Sequence, residues 1–319
     1  MVALSSQIVD VEIMRKIAWS GIPRQYRPRA WRIFLDYEPI ISDQSFSTLQ
    51  HKRKDYFDCL NRFFDPQQQI LWTSSQRDIL SQILRDLPRM QSPLLRNEKV
   101  STIFQHVLFT YAVRHPASGY VQGMNDVLFP FFIVFLSQHF KTMTIEDIVL
   151  KTDVDSLSAT ELNEVEADSF WCFNKFLDGV QDFYTKDQPG MYKMIDQLHR
   201  VIGKVDPELY NYLEQENVQY TSFAIRWMNC MLVREFSISV LLRIWDLYVS
   251  EPSKIAMTQV YICASMMTYI SPELMKLKQC DLLDKLKNIP PDYWTNDIIE
   301  IILAQSFVYE KAFFSPKKF

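Results

Sequence analysis

The chain is short of glycine: six of its 319 residues are glycine, against an average near 7% in proteins. Tight β-hairpins use glycine in their turns, so this scarcity disfavours a fold built from many hairpins. The sequence also lacks the glycine-rich G-x-x-x-x-G-K-[ST] loop that cradles nucleotide phosphates. The chain is therefore not expected to bind a nucleotide alone.

Cysteine and histidine are few and scattered. The five cysteines form no C-x-x-C pair and their number is odd, which disfavours both a zinc site and a disulfide framework. Buried free thiols in a reducing compartment are the better interpretation. The five histidines show no pair at helical spacing, so no metal site is expected. A net charge of −4 also predicts no nucleic-acid partner.

Long apolar runs and a secretion signal are missing as well. The first residues carry no basic segment followed by an apolar run, as a signal peptide would. The most apolar stretch, 127–136, contains Pro130 and has about half of the roughly 20 residues that a membrane span requires. We therefore predict a soluble, cytoplasmic protein without a transmembrane segment.

Hydrophobic residues at helical spacing are abundant. They make up 48% of the chain, enough for a sizeable core. Apolar residues recur at intervals of three and four in several segments, each of which predicts a helix with one buried face. These segments are 100–112, 223–232, 240–248 and 298–308, the last with its face at Ile298, Ile301, Ile302, Gln305 and Val308. Strand-type alternation is hard to find, so the predicted fold is all-α.

The stretch 127–136 is apolar on every side, which predicts a short helix at the centre of the core. We expect this helix to begin near Asn125 or Asp126, since both residue types are good N-caps. Pro130 would then lie within the first turns, where a missing N–H costs least.

Polar clusters divide the chain. Residues 38–47 and 152–163 predict exposed loops, and 187–190 predicts a turn that could separate two helical halves. The chain could be a domain from a longer protein, although Met1 also fits a complete one. The predicted organisation is a short N-terminal segment at 1–14, one domain at 15–314 with approximate lobes 15–186 and 187–314, and a tail at 315–319.

Two polar residues stand in segments suited to chemistry on a phosphate. Arg89 follows Pro88, and Gln122 lies in a turn between Gly119 and Gly123. Arginine carries a permanent charge on a planar donor fork that fits phosphate oxygens. A glutamine amide offers an acceptor and two donors, which can hold a water without taking its proton. These are two of the parts needed to hydrolyse a nucleotide γ-phosphate.

Together the two segments resemble the paired finger motifs of TBC-domain Rab GTPase-activating proteins, written Ile-x-x-Asp-x-x-Arg and Tyr-x-Gln. The resemblance covers roughly residues 15–314. At 114–118 and 226–230 it is greatest to the Golgi-associated branch of the family. Met90 departs from the pattern, because the family often has threonine there. The matching residues are Ile83, Asp86 and Arg89, then Tyr120 and Gln122, with Arg27, Trp31 and the stretches 21–23, 166–171, 223–235 and 243–246 in agreement.

The resemblance implies a two-lobed all-helical domain that supplies two side chains to a GTP-bound Rab. Arg89 would neutralise charge on the γ-phosphate, and Gln122 would orient the attacking water. The Rab would carry the GTP and the magnesium, so the chain would need no cofactor of its own and would be an activator rather than an enzyme. The resemblance also implies that the two finger loops converge.

Structural interpretations stand beside these functional ones. Asp86 would orient the finger arginine, pair with it, or cap a loop; Gln122 could bond its own turn. Tyr120 would fix that turn by packing. Ile83 and Trp31 are expected in the core, and Arg27 could face a phosphate or partner or bond a helix end.

Two functions fit the pattern. The first is activation of a Rab GTPase that regulates vesicle trafficking, peripherally at Golgi membranes. The second is a catalytically weak TBC scaffold that binds a Rab or an adaptor. Having both Arg89 and Gln122 favours the first, because a scaffold needs neither. No Ser-His-Asp motif or nucleophile elbow supports a self-contained hydrolase. The identity of the Rab and the oligomeric state stay open.

Overall fold

The fold is all-α, as the sequence predicts. The computed structural model describes residues 7–90 and 92–313. Across those two ranges the chain forms sixteen α-helices, and its one β pairing is an antiparallel bridge between Ile8 and Ile41. The helices therefore build the whole frame on which any functional loop is held.

The helices follow one another with short connections. The first nine are α1 (Val11–Ala18), α2 (Arg27–Phe34), α3 (Ser42–Phe64), α4 (Pro66–Ile70), α5 (Ser74–Asp86), α6 (Glu98–Arg114), α7 (Met124–Leu136), α8 (Ile145–Lys151) and α9 (Ala159–Asp178). The others are α10 (Pro189–Val205), α11 (Pro207–Gln215), α12 (Thr221–Asn229), α13 (Ile238–Ser250), α14 (Ile255–Leu274), α15 (Gln279–Lys287) and α16 (Asn296–Phe313). Short 3₁₀ turns lie at Leu87–Arg89, Pro93–Arg96, Val154–Ser156, Gln181–Phe183, Pro252–Lys254 and Pro291–Tyr293.

Helix α7 is the buried central helix that the sequence predicts, since each of its residues is buried. Its N-cap is Gly123, however, rather than Asn125 or Asp126, so Pro130 is the seventh residue of the helix and lies in its interior, at the end of the second turn. Gly123 has a φ of +107°, a left-handed conformation that glycine adopts without strain. Asn125 and Asp126 are instead buried within the helix, where they make tertiary contacts.

One apolar core runs through both halves of the chain. Trp245 of α13 stacks on Phe176 of α9, with 4.8 Å between ring centroids, and lies 6.3 Å from Trp31 of α2. Phe131 of α7 meets both tryptophans edge-on at 5.5 Å. Four helices far apart in sequence therefore share one contact point, and α7 is held from both sides.

Asp246 is the polar centre of this core. Its carboxylate is fully buried and accepts two hydrogen bonds from the Arg27 guanidinium, at 2.8 and 3.0 Å. Trp31 Nε1 donates at 2.9 Å and the Ile22 backbone N–H at 2.8 Å. The charge of Asp246 is thus paired and hydrogen-bonded, as a buried carboxylate requires. It fastens the first helices of the chain to α13.

Each predicted loop contains a connection that is not α-helical, at 38–41 and 152–158, but is wrong in its second part, which lies in a helix. Glu38 is buried and accepts hydrogen bonds from two arginines of α2, and α3 already begins at Ser42. In the second segment, Ser158 and Glu161 form a capping box that starts α9. Polar residues are abundant in both segments, as in a loop, but they serve other purposes. Glu38 pairs with arginines of α2, whereas Ser158 and Glu161 cap the first turn of a helix.

The helix predicted at 223–232 ends early. Helix α12 stops at Asn229, and Met231 and Leu232 have φ values of +49° and +62°, outside the range of a right-handed helix. Both side chains are nevertheless fully buried. The apolar spacing thus extends beyond the helix, because its last two residues, Met231 and Leu232, lie in a buried turn.

Helix α16 is correctly predicted but its buried face is not. Ile301 and Val308 are each 55% exposed. Near 298–303 this helix carries apolar residues on every face, so spacing alone does not show which face is buried. Packing against α14 determines the buried face. The buried side chains are Ile299, Ile302, Leu303, Ser306 and Tyr309.

The predicted turn near the middle is present, since Asp187 and Gln188 both have positive φ and α10 begins directly afterwards. The division into lobes at 186/187 stays a prediction. Residues 1–6 of the predicted N-terminal segment and the predicted tail at 315–319 lie outside the described residues. Among the described helices, none combines the length and the apolar character needed to cross a membrane.

We predict that Asp246→Ala strongly destabilises the fold. The substitution leaves the Arg27 guanidinium and the Trp31 N–H without their carboxylate partner, and breaking a buried ion pair in this way costs about 3–5 kcal/mol. The free energy of unfolding in urea measures the loss. Asp196→Ala is the control, because Asp196 pairs with Arg200 on the surface and such pairs contribute at most about 1 kcal/mol. Similar losses in the two variants would contradict the role given to Asp246.

Candidate functional site

The carboxylate of Asp86 brings the two motif segments together. Asp86 ends α5 and is buried. Its Oδ2 accepts a hydrogen bond from the Tyr120 hydroxyl at 3.1 Å, and its Oδ1 lies 3.4 Å from Nη1 of Arg89. Asp86 therefore joins the loop that carries Gln122 to the end of α5 and lies beside Arg89. The two motif segments are in contact, as the family resemblance implies.

Tyr120 contributes a hydrogen bond as well as packing. The ring is buried, and this burial raises the pKa of the Tyr120 hydroxyl, which the adjacent Asp86 carboxylate raises further. The hydroxyl therefore stays protonated and donates to Asp86. Its oxygen also lies 3.3 Å from Oδ1 of Asn125, at the start of α7. Its one proton is donated to Asp86, so the hydroxyl links the turn to the end of α5 and lies beside the start of the central helix.

Arg89 is the last residue of the 3₁₀ turn Leu87–Arg89. Its side chain is 63% exposed, and its contact with Asp86 is a long one for a hydrogen bond. The turn is closed by the main chain, since the Met90 N–H donates to the Leu87 carbonyl at 3.1 Å. A hydroxyl at position 90 is therefore not needed for this bond. Arg89 is placed by its turn but is only weakly held at its guanidinium.

A groove of about 600 Å³ opens beside Arg89. Two further arginines line it, and both are bound: Arg226 makes two 2.8 Å contacts with Glu235, and Arg234 binds Asp126 at 3.0 and 2.8 Å. Each of these two side chains is 37% exposed. Arg89 is the most exposed of the three and has the longest ionic contact. It is the guanidinium best able to bind an incoming anion.

Gln122 lies on the adjacent loop with its side chain exposed. Glycines with positive φ stand on either side, Gly119 at +63° and Gly123 at +107°. The Gln122 carbonyl accepts a hydrogen bond from Nδ2 of Asn229 at 2.6 Å. Its side-chain amide makes no hydrogen bond with its own turn in the described part of the loop. The amide is presented to solvent on an anchored backbone.

Asn229 and Arg234 are site residues that the sequence reasoning overlooked. Asn229 binds the Gln122 loop, and Arg234 binds Asp126 in the first turn of α7. The sequence marks 223–235 only by its agreement with the family, and 223–232 by its helical spacing. The signal was Asn229 itself, a polar residue between the buried Met228 and Cys230.

The other expected residues lie in the core. Ile83 is fully buried, as predicted. Arg27 and Trp31 both bind Asp246 and do not line the groove. The interpretation of Arg27 as facing a phosphate or a partner is therefore not supported: it bonds a buried carboxylate, and it supports the fold rather than the finger loops.

Within residues 7–90 and 92–313, no group of three or more His, Cys, Asp and Glu side chains could hold a metal ion. The expectation that the chain has no cofactor of its own stays a prediction.

Comparison with known protein families gives a match over most of the chain. A family model described as the Rab-GTPase-TBC domain matches residues 24–275. TBC1 domain family member 22B of Homo sapiens is 39% identical over 307 residues, which cover 95% of this chain and 59% of the relative. GTPase-activating protein gyp1 of Schizosaccharomyces pombe is 35% identical, over 97% of this chain and 60% of the relative. The chain thus spans less than two thirds of the length of these curated relatives.

Comparison with solved structures agrees with the family match. The Ypt/Rab-GAP domain of Gyp1p superposes with a TM-score of 0.92 and 34% identity, covering 98% of this chain and 96% of that one. The Chlamydomonas flagellar RabGAP TBC domain gives a TM-score of 0.62 at 16% identity, which is a likeness of fold alone.

We predict that Tyr120→Phe destabilises the protein by about 1.5–3 kcal/mol, the range for a hydrogen bond to a charged group. The substitution keeps the ring and leaves one oxygen of the buried Asp86 without its donor. Tyr293→Phe is the control, because the Tyr293 hydroxyl donates to Glu273 in an exposed contact. Urea unfolding of both variants measures the difference. Equal losses would mean that the Tyr120–Asp86 bond does not hold the two segments together.

Proposed function

Because the chain belongs to the Rab-GTPase-TBC domain family, we propose that it is a GTPase-activating protein for a Rab-family GTPase. The observation that carries the proposal is the convergence of Arg89 and the Gln122 loop on Asp86. Two relatives that are GTPase-activating proteins by name, gyp1 of Schizosaccharomyces pombe and GYP1 of Saccharomyces cerevisiae, support the same activity. The chain would act on GTP held by the Rab, together with the magnesium that the Rab carries.

Arg89 is the proposed arginine finger. Charge builds up on the γ-phosphate oxygens as the bond to the leaving phosphate breaks, and a guanidinium placed there neutralises it. Its exposure at the groove and its long contact with Asp86 allow the side chain to exchange that carboxylate for phosphate. A finger of this kind raises the rate of GTP hydrolysis by about 10³–10⁵.

Gln122 is the proposed glutamine finger. Its amide would accept a hydrogen bond from the attacking water and donate to a phosphate oxygen, which orients the water without removing its proton. The exposed amide on an anchored loop supports this role. Small GTPases often assign the same task to a glutamine of their own, so the proposal has the activator replace that residue in trans.

The place of action is proposed to be the cytoplasmic surface of Golgi membranes, where the protein would regulate vesicle trafficking. The support is the likeness of residues 114–118 and 226–230 to the Golgi-associated branch of the family. The alternative is a scaffold that binds a Rab without accelerating hydrolysis. Rates of GTP hydrolysis and affinities for differently loaded Rabs distinguish the two functions.

Arg89→Ala should lower stimulated GTP hydrolysis by about a hundredfold or more, and Arg89→Lys should restore little of it, because an ammonium cannot bridge two oxygens. A panel of GTP-loaded Rabs first identifies the substrate, and single-turnover phosphate release measures each variant. Arg85→Ala is the matched control, since Arg85 is exposed on the last turn of α5 outside the groove. Near-normal stimulation by Arg89→Ala would remove the arginine from the mechanism.

A Rab loaded with GDP and a fluoride mimic of the γ-phosphate should bind at least about a hundredfold more tightly than Rab–GDP, because the site complements the charge of the transition state. Arg89→Ala should abolish most of this preference. Titration of the labelled Rab with the full chain measures both affinities. Equal affinity for the two loaded states would favour the scaffold.

A further inference from the structure

We infer that Asn229 is a positioning residue for the glutamine finger, and that through Asn229 the C-terminal half of the chain sets the direction of Gln122. The inference rests on the proposed function of Gln122. Asn229 is the last residue of α12, 107 positions from its loop partner. Its side chain does not have to reach the nucleotide to matter, because it acts on the backbone that carries the finger.

The contact that carries the inference is the 2.6 Å hydrogen bond from Nδ2 of Asn229 to the Gln122 carbonyl oxygen. A peptide unit is planar, so a fixed carbonyl fixes the orientation of the whole unit between residues 122 and 123. The Cα–Cβ direction of Gln122 depends on that orientation. The position of the exposed Gln122 amide therefore depends on the hydrogen bond from Asn229.

Asn229 is itself well held. Its main-chain carbonyl accepts a hydrogen bond from the Tyr184 hydroxyl at 2.8 Å. Its Oδ1 lies 3.4 Å from Nε2 of Gln188, and Gln188 precedes α10 in a left-handed conformation. Both ends of the Asn229 amide are thus used, one on the finger loop and one on the turn between the predicted halves. A donor and an acceptor on one short side chain are what an asparagine supplies.

The fit between loop and Asn229 is close enough to restrict the sequence of the loop. A Cβ on Gly123 would lie 2.6 Å from Nδ2 and 2.9 Å from Cγ of Asn229, a separation that side chains do not tolerate. A Cβ on Gly119, at the other end of the loop, would meet nothing within 4 Å. Gly119 is thus needed for its backbone angle alone, whereas Gly123 is also needed for contact with Asn229.

The loop has other anchors on its own side of the site, three of which involve side chains. The Tyr120 hydroxyl binds Asp86, the Gly123 N–H donates to Oδ1 of Asn125 at 3.1 Å, and the Val121 N–H lies 3.4 Å from the Met124 sulfur. The peptide unit between residues 122 and 123 is held at both ends, its N–H by Asn125 and its carbonyl by Asn229. Loss of the Asn229 bond frees the carbonyl end, which should misdirect Gln122 while leaving the rest of the loop in place.

The test replaces Asn229 by residues of the same shape. Asn229→Asp removes the donor and adds a charge, and Asn229→Leu removes the donor without a charge. With the Rab that a panel assay selects, both should lower single-turnover hydrolysis at saturating activator by between about tenfold and a hundredfold, since a displacement of 1 Å can cost a hundredfold. Affinity for the GTP-loaded Rab should change by less than about twofold, because ground-state docking does not depend on the finger.

Asn217→Asp is the control for the Asn-to-Asp change. Asn217 is exposed and lies in the turn after α11, where its side chain accepts a hydrogen bond from Gln219. The Asn217→Asp substitution should leave the rate of stimulated GTP hydrolysis unchanged. Unfolding of either Asn229 variant under assay conditions, or a loss of affinity equal to the loss of rate, would overturn the inference, because Asn229 would then be a structural or a docking residue.

A double-mutant cycle separates this inference from the proposed function. If Asn229 acts through Gln122, Asn229→Leu should cost less than about twofold in a Gln122→Ala chain, since interacting residues are non-additive. Additive losses would overturn the positioning role and leave the glutamine finger intact. If Gln122→Ala alone had no effect, the proposed glutamine finger would fail first, and the inference with it.

Discussion

The site depends on one buried carboxylate. Asp86 is withdrawn from solvent, and a buried charge has to be paired and hydrogen-bonded. Its two partners belong to different segments, Tyr120 before the central helix and Arg89 after α5. The firmer of the two contacts is with Tyr120, so satisfying Asp86 brings the loop of Gln122 against the end of α5, three residues before Arg89. The same requirement that stabilises the fold at this point also assembles the proposed catalytic pair.

The supporting contacts are buried and the proposed fingers are exposed. Asp246 binds Arg27 and Trp31 inside the core, and Asp126 ties α7 to Arg234. Arg89 and Gln122, in contrast, point outward on short turns. A rigid frame with two exposed polar ends suits a protein that completes another protein's active site, because the frame orders the fingers before binding and little has to be reorganised in the complex.

The sequence predicts the elements well where apolar spacing is clean. The stripe at 100–112 lies on α6, with its residues buried as expected. Apolar spacing does not predict the buried face where a helix carries apolar residues on every side. Ile301 and Val308 of α16 are exposed for this reason, since packing against other helices then determines which face is buried. Composition fails at Glu38, because a buried ionic cluster has the residues of a loop.

The motif residues could be found because family resemblance marks them, and the same resemblance implies that their loops meet, but the contacts that join the loops could not be predicted. The Tyr120–Asp86 bond joins positions 34 apart, and the Asn229–Gln122 bond positions 107 apart. No local pattern in the chain contains either contact. Asn229 in particular has no sequence signal beyond a polar residue between buried neighbours.

The most direct test of the dual-finger account uses a Rab whose own switch glutamine has been changed to leucine. If Gln122 orients the water in trans, the full chain should still stimulate this Rab substantially in a single-turnover phosphate-release assay, and the Gln122→Ala chain should not. Loss of stimulation caused by the Rab substitution alone, with Gln122→Ala nearly without effect on the unchanged Rab, would contradict the account.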